Sequence, residues 1–193
     1  MKKLELRKKY LEMRKTLSAD EVLLLSEKIY ENFILQFNVI ENQNVHVFLP
    51  IEKFNEIGTN FFLEYFWSKN VNVFVPKVKA GEMISVRLSK NTKLEKSSWG
   101  ILEPISNENE CSYFDYVITP LLYCDKSGNR IGYGKGFYDE FFAKINKKKK
   151  KIGVNFFPPI ESIEDVFEND VKLDYLITPE ETLSFSSTST STK

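Results

Sequence analysis

One glycine-rich run, residues 125–139, contains the side chains best suited to chemistry and reads DKSGNRIGYGKGFYD. It combines four glycines with the cations Arg130 and Lys135 and a carboxylate at each end. Glycines let the backbone approach a ligand closely and accept positive φ angles. Backbone N–H groups and a helix N-terminus can then bind an anion, and the cations add charge. The run therefore predicts a phosphate site in which Asp139 could hold a metal on that anion.

The neighbouring segments predict the elements that carry this run. The apolar residues 117–122 before it are typical of a buried strand, and apolar residues recur after it at helical spacing. The predicted order is a strand, a glycine-rich turn and the start of a helix. The run is not a Walker A loop, because window 129–136 begins with Asn and has Gly136 where Ser or Thr should follow the lysine. A turn without a ligand is the alternative, but the cations Arg130 and Lys135 together with the terminal Asp139 favour a ligand.

Residues 130–139, RIGYGKGFYD, resemble the signature of the 5-formyltetrahydrofolate cyclo-ligases, also called methenyltetrahydrofolate synthetases. Residues 115–122 and Asp125 resemble the same family, and so does the C-terminal spacing of Asp170, Asp174 and Thr178. The resemblance spans residues 2–180. It implies a three-layer α/β/α domain with a mostly parallel central sheet.

The length and composition are consistent with one globular domain. The chain has 193 residues, of which 42% are hydrophobic and 28% charged, so it can bury a sizeable core. Its net formal charge is zero, which argues against a general nucleic-acid binder. Two cysteines without metal spacing and the single histidine, His46, exclude a zinc site and disfavour a Ser-His-Asp hydrolase.

The predicted elements alternate along the chain. Helices are predicted over residues 2–16, from Ser18 to about residue 37, after residue 59 and after the glycine run; strands are predicted over residues 45–49, 71–76, 84–88, 115–122 and 151–156 and near 174–179. This order predicts an α/β domain with a mostly parallel sheet over residues 1–183, followed by a disordered Ser/Thr-rich tail over residues 184–193. The charged N-terminus and the lack of a long apolar stretch predict a cytoplasmic, membrane-free protein. We expect a monomer.

The N-terminal helix is strongly basic. Such a helix is usually a solvated surface, but the resemblance implies a nucleotide-contacting helix that includes Arg14. Lys3 and Arg7 lie one turn apart, so both can face one phosphate group. The lysines of residues 147–151 leave two interpretations open: a solvated helix end, or a docking surface for a polyglutamate tail.

The resemblance implies the ATP- and Mg²⁺-dependent conversion of 5-formyltetrahydrofolate to 5,10-methenyltetrahydrofolate, with ADP and phosphate as the other products. It implies that Lys135 and Arg130 are catalytic and that Asp139 and Asp170 hold Mg²⁺. The expected ATP contacts are Lys3, Leu4, Glu5, Leu6, Arg7, Arg130, Ile131, Gly132, Tyr133, Gly134, Lys135, Gly136, Phe137 and Tyr138. The expected contacts of the folate, which could be polyglutamylated, are Pro50, Glu56, Trp99 and Tyr138.

Two other function classes stay open from the residues alone. A non-catalytic sensor of sugar phosphates or nucleotides would keep the glycine run without paired metal carboxylates. A nucleic-acid binder would rely only on the basic helix and would show a strong salt dependence.

Overall fold

The computed structural model describes residues 1–97 and 100–185. Within these residues the helices and strands alternate, as the sequence predicts. The α-helices are α1 (Lys3–Lys15), α2 (Ala19–Gln36), α3 (Asn60–Ser68) and α4 (Phe137–Lys144), with a 3₁₀ turn at Glu52–Phe54. The strands are β1 (Asn44–His46), β2 (Asn72–Lys79), β3 (Glu82–Arg87), β4 (Leu94–Lys96), β5 (Leu102–Pro104), β6 (Tyr116–Pro120), β7 (Tyr123–Cys124), β8 (Arg130–Ile131), β9 (Lys150–Val154), β10 (Tyr175–Ile177) and β11 (Thr182–Ser184).

Seven strands form the central sheet in the order β11-β10-β9-β6-β1-β2-β3. The five central strands run parallel to their neighbours, and β3 and β11 add antiparallel edges. The sheet is therefore mostly parallel, as predicted. In open α/β sheets of this kind, ligands bind beyond the carboxyl ends of the parallel strands.

Helices cover both faces of the sheet, which completes the three-layer arrangement. Because successive side chains of a strand point to opposite faces, β6 sends Ile118 into the core under α2 and α3, and Val117 into the core under α4. Phe33 and Phe62 are fully buried on the first side. Burial of large aromatic side chains such as these contributes much of the stability of the fold.

The start of α2 follows its sequence signal. Ser18 Oγ accepts a hydrogen bond from the Glu21 backbone N–H at 3.2 Å, and the Glu21 carboxylate accepts one from the Ser18 backbone N–H at 2.7 Å. This reciprocal pair is a capping box, and it ends the preceding turn at a defined residue.

The structure differs from the prediction in and after the glycine run. A short β7–β8 hairpin precedes the glycine loop, so Arg130 and Ile131 lie in a strand and not in a turn. The Asp125 carboxylate turns the hairpin by accepting hydrogen bonds from the backbone N–H groups of Ser127 at 2.9 Å and Asn129 at 3.0 Å. Strands of two residues carry too little periodicity to be predicted.

The C-terminal boundary also lies later than expected. Ser184 belongs to β11, and the backbone N–H of Phe185 bonds the Asp174 carbonyl at 2.8 Å, so the first two residues of the predicted tail are part of the fold. Residues 186–193 and Trp99 lie outside the described residues.

Candidate active site

The glycine loop connects β8 to α4. Gly134 and Gly136 have φ angles of 86° and 74°, values that residues other than glycine rarely adopt. Gly136 directly precedes α4, so the helix N-terminus opens into the loop, as the phosphate-site prediction requires. Lys135 lies between these two glycines on the exposed part of the loop.

Arg130 joins the loop to the segment that contains Asp170. Its Nη2 donates to Asp139 Oδ1 at 2.7 Å, and its Nη1 donates to the Val171 carbonyl. The Val171 backbone N–H returns a bond of 3.0 Å to the same Asp139 oxygen. Burial lowers the pKa of Arg130, and the Asp139 carboxylate counters this effect. The pairing brings both predicted metal carboxylates toward one guanidinium, since Asp170 precedes Val171.

Lys3 brings the N-terminal helix to the same place. Its ammonium group forms an ion pair with Asp170 and lies 4.6 Å from the centre of the Phe167 ring. The Asp170 carboxylate also accepts the Phe167 backbone N–H at 2.6 Å, which fixes the loop before it. The solvated-surface interpretation is therefore wrong for Lys3.

Arg7 packs against the glycine loop itself. Its Nε donates to the Gly132 carbonyl at 2.9 Å. A Cβ at Gly134 would lie 3.2 Å from the Arg7 guanidinium carbon, so the glycine allows the close approach. Lys3 and Arg7 thus both reach the predicted phosphate region, from one side of α1.

Other expected ATP contacts have different surroundings. Leu6 and Ile131 are buried together in an apolar cluster, so any contact of theirs with a nucleotide would come from the backbone. Leu4 is 72% exposed, and Glu5 accepts the Lys2 backbone N–H at 3.1 Å to cap α1. Phe137, the first residue of α4, is partly buried and packs against the apolar cluster beneath that helix. Leu6 and Ile131 thereby hold α1 against the β7–β8 hairpin that precedes the loop.

Glu56 lies in the loop after the 3₁₀ turn and is buried, with 5% of its surface exposed. Glu56 is therefore not a surface carboxylate. Its Oε2 accepts the Ile51 backbone N–H at 2.7 Å, and its Oε1 accepts the Tyr133 hydroxyl at 2.8 Å. Burial raises the pKa of Glu56, while Ile51, Arg14 and Tyr133 act in the opposite direction. Pro50, half-buried, directly precedes Ile51.

Tyr133 therefore links the glycine loop to Glu56, and a second residue, Arg14, completes the link. Arg14 is buried with 2% of its surface exposed, and its Nη2 donates to the Tyr133 hydroxyl. The resemblance places Arg14 in a nucleotide-contacting helix, and the sequence does not indicate its contact with Tyr133. The available signal is its spacing: Leu6, Tyr10 and Arg14 recur every four residues, and all three are buried on one face of α1.

Tyr138 lies between the loop and β1. Its hydroxyl is 3.2 Å from Nε2 of His46, whose Nδ1 is 2.7 Å from the Ser85 hydroxyl. His46 is fully buried, and burial lowers its pKa to about 3, so the imidazole is neutral near pH 7. This environment agrees with the prediction that His46 is a strand residue and not a metal ligand.

Two of the lysines of residues 147–151, Lys149 and Lys151, make structural contacts. Lys149 donates to the carbonyls of Phe142 at 3.1 Å and Asn146 at 2.7 Å, which caps the end of α4, and Lys151 pairs with Asp174 at 3.1 Å. They precede or begin β9, whereas ligands of parallel sheets bind beyond the carboxyl ends of the strands. These contacts favour the helix-end interpretation over a polyglutamate surface.

The described residues contain no group of three or more His, Cys, Asp or Glu side chains arranged to hold a metal ion. A separate surface concavity of about 610 Å³ lies along the outer face of α1 and shares only Glu5 with the predicted site. None of the helices in the described ranges has the length and apolar character needed to cross a membrane.

The arrangement thus places one glycine-rich loop near cations from two elements, α1 and β8, and beside a buried carboxylate. A solved 5,10-methenyltetrahydrofolate synthetase from Aquifex aeolicus superposes on this chain with a TM-score of 0.79 and 28% identity, covering 96% of this chain and 93% of its own. The 5-formyltetrahydrofolate cyclo-ligases of Mycoplasma pneumoniae and Mus musculus are 28% and 25% identical, over 93% and 84% of this chain and 100% and 86% of theirs.

A family model extends this similarity to the whole site. It matches residues 1–179, a range that contains the glycine loop, Glu56, the basic helix and Asp170. The chain belongs to the 5-formyltetrahydrofolate cyclo-ligase family, a family of enzymes.

Proposed function

We propose that this enzyme converts 5-formyltetrahydrofolate and ATP to 5,10-methenyltetrahydrofolate, ADP and phosphate. The observation that carries the proposal is that Arg7 bonds the glycine loop, while Arg130 and Lys3 pair with Asp139 and Asp170 beside it. Three cations from two elements around exposed backbone suit a polyphosphate. The family match over residues 1–179 supports the folate substrate.

The chemistry needs no protein nucleophile. A formyl group on nitrogen is a poor electrophile, and its oxygen leaves readily only after phosphorylation. The γ-phosphoryl group moves from ATP to the formyl oxygen, the neighbouring folate nitrogen attacks the formyl carbon, and phosphate departs with that oxygen while the nitrogen loses its proton. Positioning and charge neutralisation are then the tasks of the protein. The lack of a convincing Ser, Cys or His constellation in the sequence agrees with this.

Each phosphate-site residue has a distinct task in this scheme. Lys135, on the exposed loop, neutralises charge on the transferred phosphoryl group. Arg130 is held in place by Asp139 and by the Val171 carbonyl, so its remaining donors are oriented without further ordering. Lys3 and Arg7 bind the rest of the triphosphate from α1. On the folate side, Glu56 binds a polar edge of the ring and Tyr138 stacks on it.

Asp139 and Asp170 fit Mg²⁺ as ligands of a nucleotide-bound ion. Within the described residues, the hydrogen bonds of each carboxylate fall on one oxygen: Oδ1 of Asp139 and Oδ2 of Asp170. Two carboxylates do not complete a protein cage, but Mg²⁺ is commonly held by one or two carboxylates together with substrate phosphates. When bound, the ion would neutralise charge on the phosphates.

A direct assay tests the proposal. Purified protein is incubated with 5-formyltetrahydrofolate and Mg-ATP, and the absorbance of 5,10-methenyltetrahydrofolate is followed. We expect product only with all three components, and loss of activity when EDTA removes the metal. Nucleotide binding without folate-dependent turnover would contradict the proposal and favour the sensor alternative.

A further inference from the structure

Arg14, Tyr133 and Glu56 form one directed chain of hydrogen bonds. Arg14 donates to the Tyr133 hydroxyl, which in turn donates to Glu56 Oε1 at 2.8 Å. A tyrosine hydroxyl can accept and donate at once, so each group fulfils its ordinary role. These hydrogen bonds link a buried positive charge to a buried carboxylate. Without such a partner, removing the carboxylate from water would be costly.

Backbone carbonyls anchor the Arg14 end of this chain of hydrogen bonds. Arg14 Nε donates to the Phe54 carbonyl at 2.7 Å, and its Nη1 donates to the Leu121 carbonyl at 3.3 Å. The ring of Phe54 packs on the ring of Tyr133, with 5.2 Å between centroids. The Tyr133 hydroxyl is therefore fixed by α1 on one side and by the 3₁₀ turn on the other.

The carboxylate keeps capacity for a ligand. A carboxylate has about four lone-pair sites, and the bonds from Ile51 and Tyr133 use two of them. Glu56 can thus accept donors from a bound molecule without losing its anchors. Its direction, however, depends on the Tyr133 hydroxyl, because Oε1 has no other hydrogen bond within residues 1–97 and 100–185.

We propose that Tyr133 and Arg14 are positioning residues that orient the Glu56 carboxylate for the folate, and that they act on the folate only through Glu56. This inference rests on the proposed function. It gives a task to Tyr133, which the resemblance lists only among the ATP contacts, and to Arg14. It also implies that α1 serves both substrates: Lys3 and Arg7 face the phosphates, and Arg14 supports the folate contact.

Protonation of Glu56 gives this proposal a second readout. Burial raises the pKa of the Glu56 carboxyl, while the Ile51 backbone N–H, Arg14 and Tyr133 oppose that rise. Tyr138 also interacts electrostatically with Glu56. Removing the Tyr133 hydroxyl should raise the pKa of Glu56 further. The Glu56 carboxyl would then be protonated and neutral over a wider range of acidic pH, and folate affinity would fall in that pH range.

The test is a double-mutant cycle with Tyr133→Phe and Glu56→Gln. Phe keeps the ring that packs on Phe54, so the variant should fold. We expect Tyr133→Phe to raise the folate KM roughly 10-fold, the value of one hydrogen bond to a charged group, with kcat and the ATP KM within about 2-fold. In the Glu56→Gln background the same change should have less than about a 2-fold effect. The rise in KM should be larger at pH 6 than at pH 8.

Tyr10→Phe is the matched control. Tyr10 also donates its hydroxyl to a glutamate, Glu161, and lies on the same buried face of α1 as Arg14. Its ring, however, stacks on Tyr123 with 4.2 Å between centroids, and within the described residues it has no hydrogen bond to Tyr133 or Glu56. It should leave the folate KM and its pH dependence unchanged. Calorimetric titration with 5-formyltetrahydrofolate repeats the cycle without turnover, so it remains informative if the proposed reaction fails.

Three outcomes would overturn the inference. An unchanged folate constant in Tyr133→Phe would remove Tyr133 from the site, and an equal loss in both backgrounds would show that Tyr133 acts independently of Glu56. A loss that is the same at pH 6 and pH 8 would indicate a merely structural role. Absence of turnover in the wild-type protein, with the binding cycle intact, would instead refute the proposed reaction alone.

Discussion

At the scale of single residues, Lys135 is the sharpest test of the proposed phosphate site. It lies on the exposed loop between Gly134 and Gly136, so its replacement should leave folding intact. Loss of one charge-stabilising donor typically lowers turnover by roughly 10²–10³-fold, and we expect this for Lys135→Ala. Initial rates at saturating substrates measure the effect.

Lys126→Ala is the matched control for this change, because Lys126 is an exposed lysine of the neighbouring hairpin turn. Its turnover should equal that of the wild-type protein. Near-wild-type turnover in Lys135→Ala would remove that lysine from the mechanism.

The buried imidazole of His46 makes a separate prediction about stability. Its pKa is about 3 in the folded protein against an ordinary value of 6.5, so the unfolded chain binds a proton first as the pH falls. The native state should therefore lose stability from about pH 6.5 downward, by about 2 kcal/mol at pH 5. Urea unfolding at pH 7.5 and pH 5 should show this loss in the wild-type protein and a smaller one in His46→Asn.

An equal pH dependence in the two proteins would contradict this account. The Asn side chain can still hydrogen-bond Ser85, so the comparison isolates the titrating group from the lost contact.

At the scale of elements, α1 is more than a charged surface helix. Its buried face packs on the β7–β8 hairpin through Leu6 and Tyr10, and Lys3 and Arg7 extend from it to the loop region. Truncating the helix would expose the core around Leu6 and confuse binding with folding. The double change Lys3→Ala and Arg7→Ala avoids this problem.

We expect this double variant to bind a non-hydrolysable ATP analogue at least about 10-fold more weakly, since charged hydrogen bonds contribute about 1.5–3 kcal/mol. Folate affinity should stay within about 2-fold. Lys2→Ala with Lys8→Ala removes the same charge from exposed positions of the N-terminal segment and should change neither constant. If both double variants lost the same amount of nucleotide affinity, α1 would contribute to binding only through its net charge.

The elements also show what the sequence could predict. The capping box at Ser18, the central strands and the helix after Gly136 all follow from local patterns, which decide backbone conformation within a few residues. The β7–β8 hairpin escaped prediction because Asp125, and not a run of alternating side chains, determines it. Tyr133 bonds Arg14, which lies 119 positions away in the sequence, and Glu56, which lies 77 positions away. These contacts depend on the tertiary fold, so local patterns could not predict them.

At the scale of the whole molecule, the packed core of the sheet and the loop at its carboxyl edge differ in how much space they leave for an added side chain. The core packs tightly at Gly153 in β9, where an added Cβ would lie 2.6 Å from Leu121 Cδ2 and also collide with Leu173. The loop at the carboxyl edge is open, since a Cβ at Gly132 would meet nothing within 4 Å. The same substitution at these two glycines should therefore have opposite consequences.

We expect Gly153→Ala to lower the free energy of unfolding by about 1–3 kcal/mol through overpacking, and to leave the turnover of the folded fraction unchanged. For a chain of this size, that loss corresponds to a fall in Tm of roughly 2–4 °C per kcal/mol.

Gly132→Ala should change the unfolding free energy by less than about 0.5 kcal/mol. It should weaken nucleotide binding, because its methyl group would occupy space that the phosphates need next to the Gly132 carbonyl and Arg7. Urea unfolding and calorimetry with the ATP analogue measure both effects in each variant. Unchanged nucleotide affinity in a stable Gly132→Ala protein would show that the backbone of this loop does not bind the phosphates, and the anion site would then rest on the cations of α1 and β8 alone.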